Sequence, residues 1–109
     1  MTTTWRISFF NRKVELQALS LPTGILANLL HTLELIKVYG PAVGMPYTRK
    51  LERGLFEIRA RGREGIGRCI VCDAGGRELV ILCCFTKKTA KTPLRELQLA
   101  RKRMKEIRK

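Results

Sequence analysis

Arginine and lysine are the residues through which this chain could do chemistry. Arg59, Arg61, Arg68, Lys87, Lys88 and Lys91 follow one another along the second half of the sequence. Arginine presents a planar, permanently charged fork that matches phosphoryl oxygens. Crowded cations lower a lysine's pKa, so a neutral lysine could accept a proton. Together these groups could break a phosphodiester in which a 2′-hydroxyl attacks the adjacent phosphorus, neutralising the negative charge that gathers on its oxygens. The same cations also read as a solvated basic face that only clamps a polyanion, which is what most charge runs do.

The other chemical inventories are thin. The chain has one histidine, His31, so a two-histidine nuclease is excluded. His31 falls off the apolar stripe of its helix and reads as a surface residue. Serine is scarce and has no histidine base nearby, so a nucleophilic triad is unsupported. Carboxylates are few and scattered, which argues against a metal-dependent nuclease. No phosphate-binding or dinucleotide glycine pattern occurs. Neither a metal nor a cofactor is expected. The four cysteines, Cys69, Cys72, Cys83 and Cys84, lie in apolar, strand-like segments. Each neighbouring pair is an odd number of positions apart and so faces opposite sides of a strand. That spacing suits small core residues better than a zinc site, whose ligands sit paired on turns. Disulfides are not expected in a reducing compartment.

The chain must place those cations with 109 residues, enough for one domain over 1–109. Apolar residues make up 45% of it, and the formal net charge is +13. The isoelectric point is near 10.4. So much like charge opposes compaction, and a polyanionic partner explains it best. Nucleic acid is the first candidate and an acidic protein the second. No apolar run approaches the roughly 20 residues of a membrane span, and no membrane role is expected. The first residues lack the apolar run of a signal peptide, so a cytoplasmic location is expected.

The periodicity supplies the elements. Residues 5–10 alternate as a strand, with Trp5 and Phe10 as packing residues, and 11–13 form a turn. Residues 14–20 suit either a short helix or a continued strand. A helix begins near Pro22, carries an apolar stripe of Ile25, Leu26, Leu29, Leu30, Leu33 and Ile36, and stops at Gly40-Pro41. Residues 40–48 read as an exposed loop. There Tyr47 could stack on a base or be a plain loop tyrosine. Strands follow at 55–61, 66–73 and 79–85, joined by turns at 62–65 and 74–77. The last strand is apolar on both faces, as a central strand is. A closing helix carries Leu97, Ala100, Met104 and Ile107 inward and a basic remainder outward, with at most a modest pull on phosphates. Between strand and helix lies the run from Phe85 to Pro93. Thr92 suits an N-cap and Pro93 the first helical position, so the lysines there meet a helix N-terminus that favours anions. The fold class is α+β. The expected architecture is an antiparallel sheet with helices packed on one face, leaving Glu57, Arg59 and Arg61 on the other.

Several of these segments resemble a known family in order and spacing. They are Lys50-Leu51, Gly54-Leu55-Phe56-Glu57-Ile58-Arg59, Gly65, Arg68, Phe85, Lys87-Lys88-Thr89, Lys91-Thr92-Pro93, Glu96 and Ala100. From Tyr47 onward the chain resembles the HigB-type, phage-derived branch of the RelE/ParE toxin superfamily, and it does so loosely before that. The resemblance implies a RelE-like single domain and the toxin of a type II toxin–antitoxin system. Such toxins cut mRNA in the ribosomal A site without metal. It also implies a helix-turn-helix antitoxin partner, and a complex of the two on operator DNA. By position it brings forward Arg59, Arg68, Lys87, Lys88 and Lys91, with Arg59, Arg68, Lys87 and Lys88 as the catalytic candidates; Arg61, Lys91, Tyr47 and Lys50 are the candidates for RNA or phosphate binding. Lys87 or Lys88 would serve at the phosphate or as base. The chain departs from the family pattern at Gly67, where an aromatic residue is usual, and at Cys84, where glycine is common. Ile58 replaces a leucine, and the C-terminal tyrosine or histidine of some relatives is missing. Two other readings remain: a gyrase-inhibiting toxin like the ParE proteins, and a basic nucleic-acid-binding protein without catalysis.

Overall fold

The computed structural model describes residues 4–87 and 91–108, with Lys87 described by its backbone alone. The elements run β1 (Arg6–Phe9), α1 (Arg12–Leu19), α2 (Thr23–Tyr39), a 3-10 turn at Pro41–Val43, β2 (Thr48–Glu52), β3 (Leu55–Gly62), β4 (Gly65–Gly75), β5 (Glu78–Lys87) and α3 (Leu94–Ile107). The class is α+β, as expected. The sheet has five strands in the order β1-β5-β4-β3-β2. It is mixed rather than antiparallel, because β1 pairs with β5 in parallel while the other pairs are antiparallel.

Helices cover both faces, not one. The reason lies in β5. Leu79 and Ile81 point into a core shared with Val14, Ala18, Ile25, Leu29 and Ile36 of α1 and α2. Val80 and Leu82 point the other way, into a second core with Leu55, Ile70, Cys72 and Ala100 of α3. A strand apolar on both sides needs a cover on each. The cysteines divide between the same two cores, Cys69 and Cys84 in the first and Cys72 and Cys83 in the second, because a register shift between Ile81 and Cys83 displaces the alternation by one residue.

The ambiguous segment after β1 is helical. The Asn11 side chain accepts a hydrogen bond from Val14 N at 2.9 Å, which caps α1 and ends the strand. In α2 the buried stripe is Ile25, Leu29, Thr32 and Ile36. Leu30, expected inside, is 53% exposed. Thr32 takes the inward position instead, its hydroxyl donating to Asn28 O at 2.8 Å. No side chain caps α2 locally. Glu64, from the β3–β4 turn, reaches across to accept from Gly24 N at 3.0 Å. Here α2 lies hard on the sheet: a Cβ on Gly62 would meet Ile25 N at 2.5 Å, and one on Gly67 would meet Ile25 Cγ2 at 2.5 Å. Gly67 therefore admits the helix where a larger residue would not.

The loop after α2 gives way to an extra strand, β2. Its first residue, Thr48, is buried and ties the loop down by donating to Pro41 O at 2.7 Å and accepting from Gly44 N at 2.9 Å. The β4–β5 turn has positive φ at both Gly76 (60°) and Arg77 (61°), the pairing that suits a two-residue hairpin. Among the described residues, no single helix is long and apolar enough to cross a membrane.

Candidate functional site

One side of β3 passes from core to solvent along its length. Leu55 and Glu57 are buried, Arg59 is half-buried and Arg61 is exposed. The change follows α3, which covers the sheet at the Leu55 end with Leu97, Ala100 and Met104. On β4, Arg68 stands directly opposite Arg59 in register. On β2, Arg49 stands directly opposite Glu57.

Like charges opposite one another in a sheet repel. Glu57 supplies the counter-charge. Its Oε1 accepts from Arg68 Nη1 at 2.9 Å and from Arg49 Nη2 at 3.4 Å. The Thr92 hydroxyl donates to its other oxygen, Oε2, at 2.8 Å, and itself accepts from Arg49 Nη2 at 3.3 Å. Glu57 is wholly buried and Arg68 is 3% exposed. A buried carboxylate is tolerable only when its lone pairs are satisfied by donors, and here two guanidinium groups and a hydroxyl do so. The arrangement binds β2, β3, β4 and the approach to α3 at one point.

Arg59 has no such share. Its Nη1 lies 3.7 Å from Met45 Sδ, a weak acceptor, and its buried Nε has no hydrogen-bond partner among the described residues. Burial lowers its pKa from the ordinary arginine value, and the charges of Arg68, Arg61 and Arg49 lower it further against the pull of Glu57. The guanidinium remains a cation at neutral pH. It is thus a positive group with an unused donor, repelled by its neighbours and half open to solvent. A phosphoryl oxygen would relieve both deficits.

The structure sorts the residues expected at the site. Arg59 and Arg61 lie on the same side of β3, with Arg61 open to solvent. Arg68 joins them in register but is buried against Glu57 rather than open to solvent. Tyr47 is half-buried, and its carbonyl accepts from Arg59 N at 2.9 Å. Lys50 does not join the group. It is opposite Phe56 in register, which packs with the α1/α2 core on the other face, and it lines a separate cavity with Arg108. Lys91 is exposed beside Thr92. Lys87 ends β5 opposite Ile66. Its side chain and the whole of Lys88 lie outside the described residues. His31 is exposed, as expected.

Two expectations about the strand–helix joint change. Thr92 does not cap α3, since its hydroxyl serves Glu57; Pro93 occupies the cap, and helix begins at Leu94. The basic tail is also more occupied than a solvated face. Arg101 makes a two-pronged contact with Glu52, Nε to Oε1 at 3.0 Å and Nη2 to Oε1 at 2.8 Å. Arg103 donates to Leu82 O at 2.6 Å and lies 5.0 Å from the Phe10 ring centroid. Arg108 donates to Asp73 O at 2.6 Å. Sequence reasoning missed Arg49, because only the β2–β3 register brings it to Glu57. It also took Glu57 for a surface residue. Among the described residues no group of three metal-ligand side chains comes together.

Comparison with known proteins places these residues in a family. The family model described as Phage derived protein Gp49-like (DUF891) matches residues 17–105. That span begins within α1 and takes in every residue of the arginine and Glu57 cluster. A search of curated proteins finds no significant match. By the extent of the family match, this chain belongs to the phage-derived Gp49-like family.

Proposed function

We propose that this protein is the toxin of a type II toxin–antitoxin pair and acts as a metal-independent endoribonuclease on mRNA in the ribosomal A site. Membership of the Gp49-like family, which is associated with toxin–antitoxin systems, supports the toxin reading. The observation that carries the nuclease reading is Arg59, a half-exposed cation with a buried, unused Nε beside two further arginines. A scissile phosphate seated there would accept from Arg59, and Arg61 and Lys91 would hold its neighbours along the strand. As the 2′-hydroxyl attacks, charge accumulates on the phosphoryl oxygens, and the Arg59 fork stabilises it best when that charge is greatest. Arg68 acts as a positioning residue: it fixes Glu57 and keeps a second positive charge behind Arg59. The base is Lys87 or Lys88, at the end of β5 and just beyond it. Tyr47 offers a stacking surface for a base beside the cut. A helix-turn-helix antitoxin is the partner, the complex binds operator DNA, and the toxin works in the bacterial cytoplasm.

Induced expression in bacteria tests the reading. The expected result is rapid translation arrest with transcripts cut inside reading frames. Arg59→Ala should fold normally and lose cleavage by roughly 10²–10³-fold, the usual effect of removing one donor to a developing oxyanion. Filamentation with DNA damage would instead indicate a gyrase inhibitor, and normal growth a binding protein without toxicity.

A further inference from the structure

We propose that Cys69 and Cys84 are a dithiol oxidation site, which a hydroperoxide entering the cavity beneath α1 converts to a cross-strand disulfide. The inference does not depend on the nuclease reading.

Three observations carry it. The two cysteines are direct register partners on β4 and β5, and their sulfurs lie 2.8 Å apart in a hydrogen bond. Directly opposed residues of antiparallel strands have Cα atoms about 4.5–5.5 Å apart, within the range a disulfide spans. No backbone shift is needed to join them. Second, the pair has an entrance. Cys84 lines an open cavity of about 470 Å³ formed with Lys13, Leu16, Gln17, Leu21 and Thr86. That space accommodates a small peroxide, whereas Cys69 behind it is 1% exposed. Third, the two thiols differ in role. The hydrogen bond to Cys84, and then burial, push the Cys69 thiol well above its ordinary pKa, so Cys69 keeps its proton. Cys84 faces the cavity and is the sulfur a peroxide entering it meets first.

The chemistry balances with hydroperoxide as the oxidant. The Cys84 sulfur attacks the peroxide oxygen, the O–O bond breaks, an alcohol (or water) leaves, and Cys84 becomes a sulfenic acid. The Cys69 sulfur then attacks Cys84, its proton leaves with the hydroxyl as water, and the S–S bond forms. Two thiols are oxidised by two electrons and one peroxide is reduced. Cys72 and Cys83 provide an internal comparison. They share the other core, are not register partners, and burial pushes Cys83 up to about 12.

The position gives the bond a target. Cys69 directly follows Arg68, and Cys84 precedes Phe85, Thr86 and Lys87 at the end of β5. A link there would pin β4 to β5 on the face of the sheet opposite the arginine cluster.

The test treats the folded full chain with hydrogen peroxide, then denatures and alkylates it for intact and tandem mass spectrometry. We expect the chain to lose two hydrogen atoms, its alkylatable thiols to fall from four to two, and the link to map to Cys69–Cys84. Cys84→Ser should abolish the link, while a Cys72→Ala/Cys83→Ala double variant should keep it. If Cys84→Ser fails to fold, the double variant decides alone, because Cys69 and Cys84 are then its remaining thiols. Four thiols still reactive after treatment, a link involving Cys72 or Cys83, or over-oxidation of Cys84 with Cys69 still alkylatable would overturn the proposal.

Discussion

Glu57 and Arg68 share a hydrogen-bonded ion pair out of reach of water, and removing either partner has a cost set by the other. Arg68→Ala would leave the Glu57 carboxylate buried with only Arg49 and Thr92 to satisfy it. Breaking such a pair typically costs about 3–5 kcal/mol. Urea denaturation of Arg68→Ala should show a loss of that order. The Arg68→Met/Glu57→Gln double variant should recover a good part of it, because no lone buried charge remains. Equal losses in the single and double variants would mean that packing rather than charge holds this point. Arg59, half-exposed and outside the pair, should tolerate truncation with little change in stability. The sequence made Arg59, Arg61 and Arg68 visible as one group, since period-two alternation and two neighbouring strands suffice for that. It could not reveal that Arg68 faces inward. That follows from Glu57, which alternation alone marks as a surface position and which Arg68, Arg49 and Thr92 cover.

At the level of elements, α2 is seated by close approach and by a cap borrowed from elsewhere. Gly62 receives the backbone of Gly24 and Ile25 where a side chain would stand. Gly62→Ala should therefore cost about 1–3 kcal/mol, the usual range for overpacking, and a thermal melt would register it. Glu64 caps the helix through Gly24 N, and this hydrogen bond, helped by those from its own backbone and that of Ile25, holds its pKa below the ordinary 4.5. A carboxylate with a lowered folded-state pKa stabilises the fold above the unfolded value and loses that contribution as pH falls through the folded one. Melting temperatures followed downward from pH 6 should thus fall on the acid side, and Glu64→Gln should flatten that limb. An unchanged acid limb would remove Glu64 from the account. β3 and the stripe of α3 were legible because their periods are clean, and β4 and β5 because they are apolar runs bounded by glycine-containing turns. β2 was not: its five residues mix charges with one buried threonine, and pairing with β3 rather than propensity makes them a strand. The parallel β1–β5 contact and the second helical layer are likewise matters of topology, which local alternation does not encode.

Across the whole molecule, the net charge of +13 divides into two kinds of cation. Arg101, Arg103 and Arg108 are engaged with Glu52, Leu82 O and Asp73 O, whereas Arg61 and Lys91 stand in solvent. Only the second kind can release counter-ions from a bound strand. RNA binding, measured by fluorescence anisotropy across a salt series, should weaken steeply with ionic strength. Arg61→Ala should reduce the log–log slope by about 0.7, the value for one phosphate on single-stranded nucleic acid. Arg101→Ala should leave the slope nearly unchanged and lower stability instead. Identical slopes for both variants would undo the division. The fastening of α3 also bears on how the chain would respond to proteolysis. Proteolysis advancing along α3 from its C-terminal end would cut the Arg108 tie, then strip Ile107 and Met104 from the second core, and then release Arg103 from β5. Erosion of the tail would end in collapse of the whole chain, so a degradation signal placed there would eliminate the protein instead of yielding a shortened, still folded fragment.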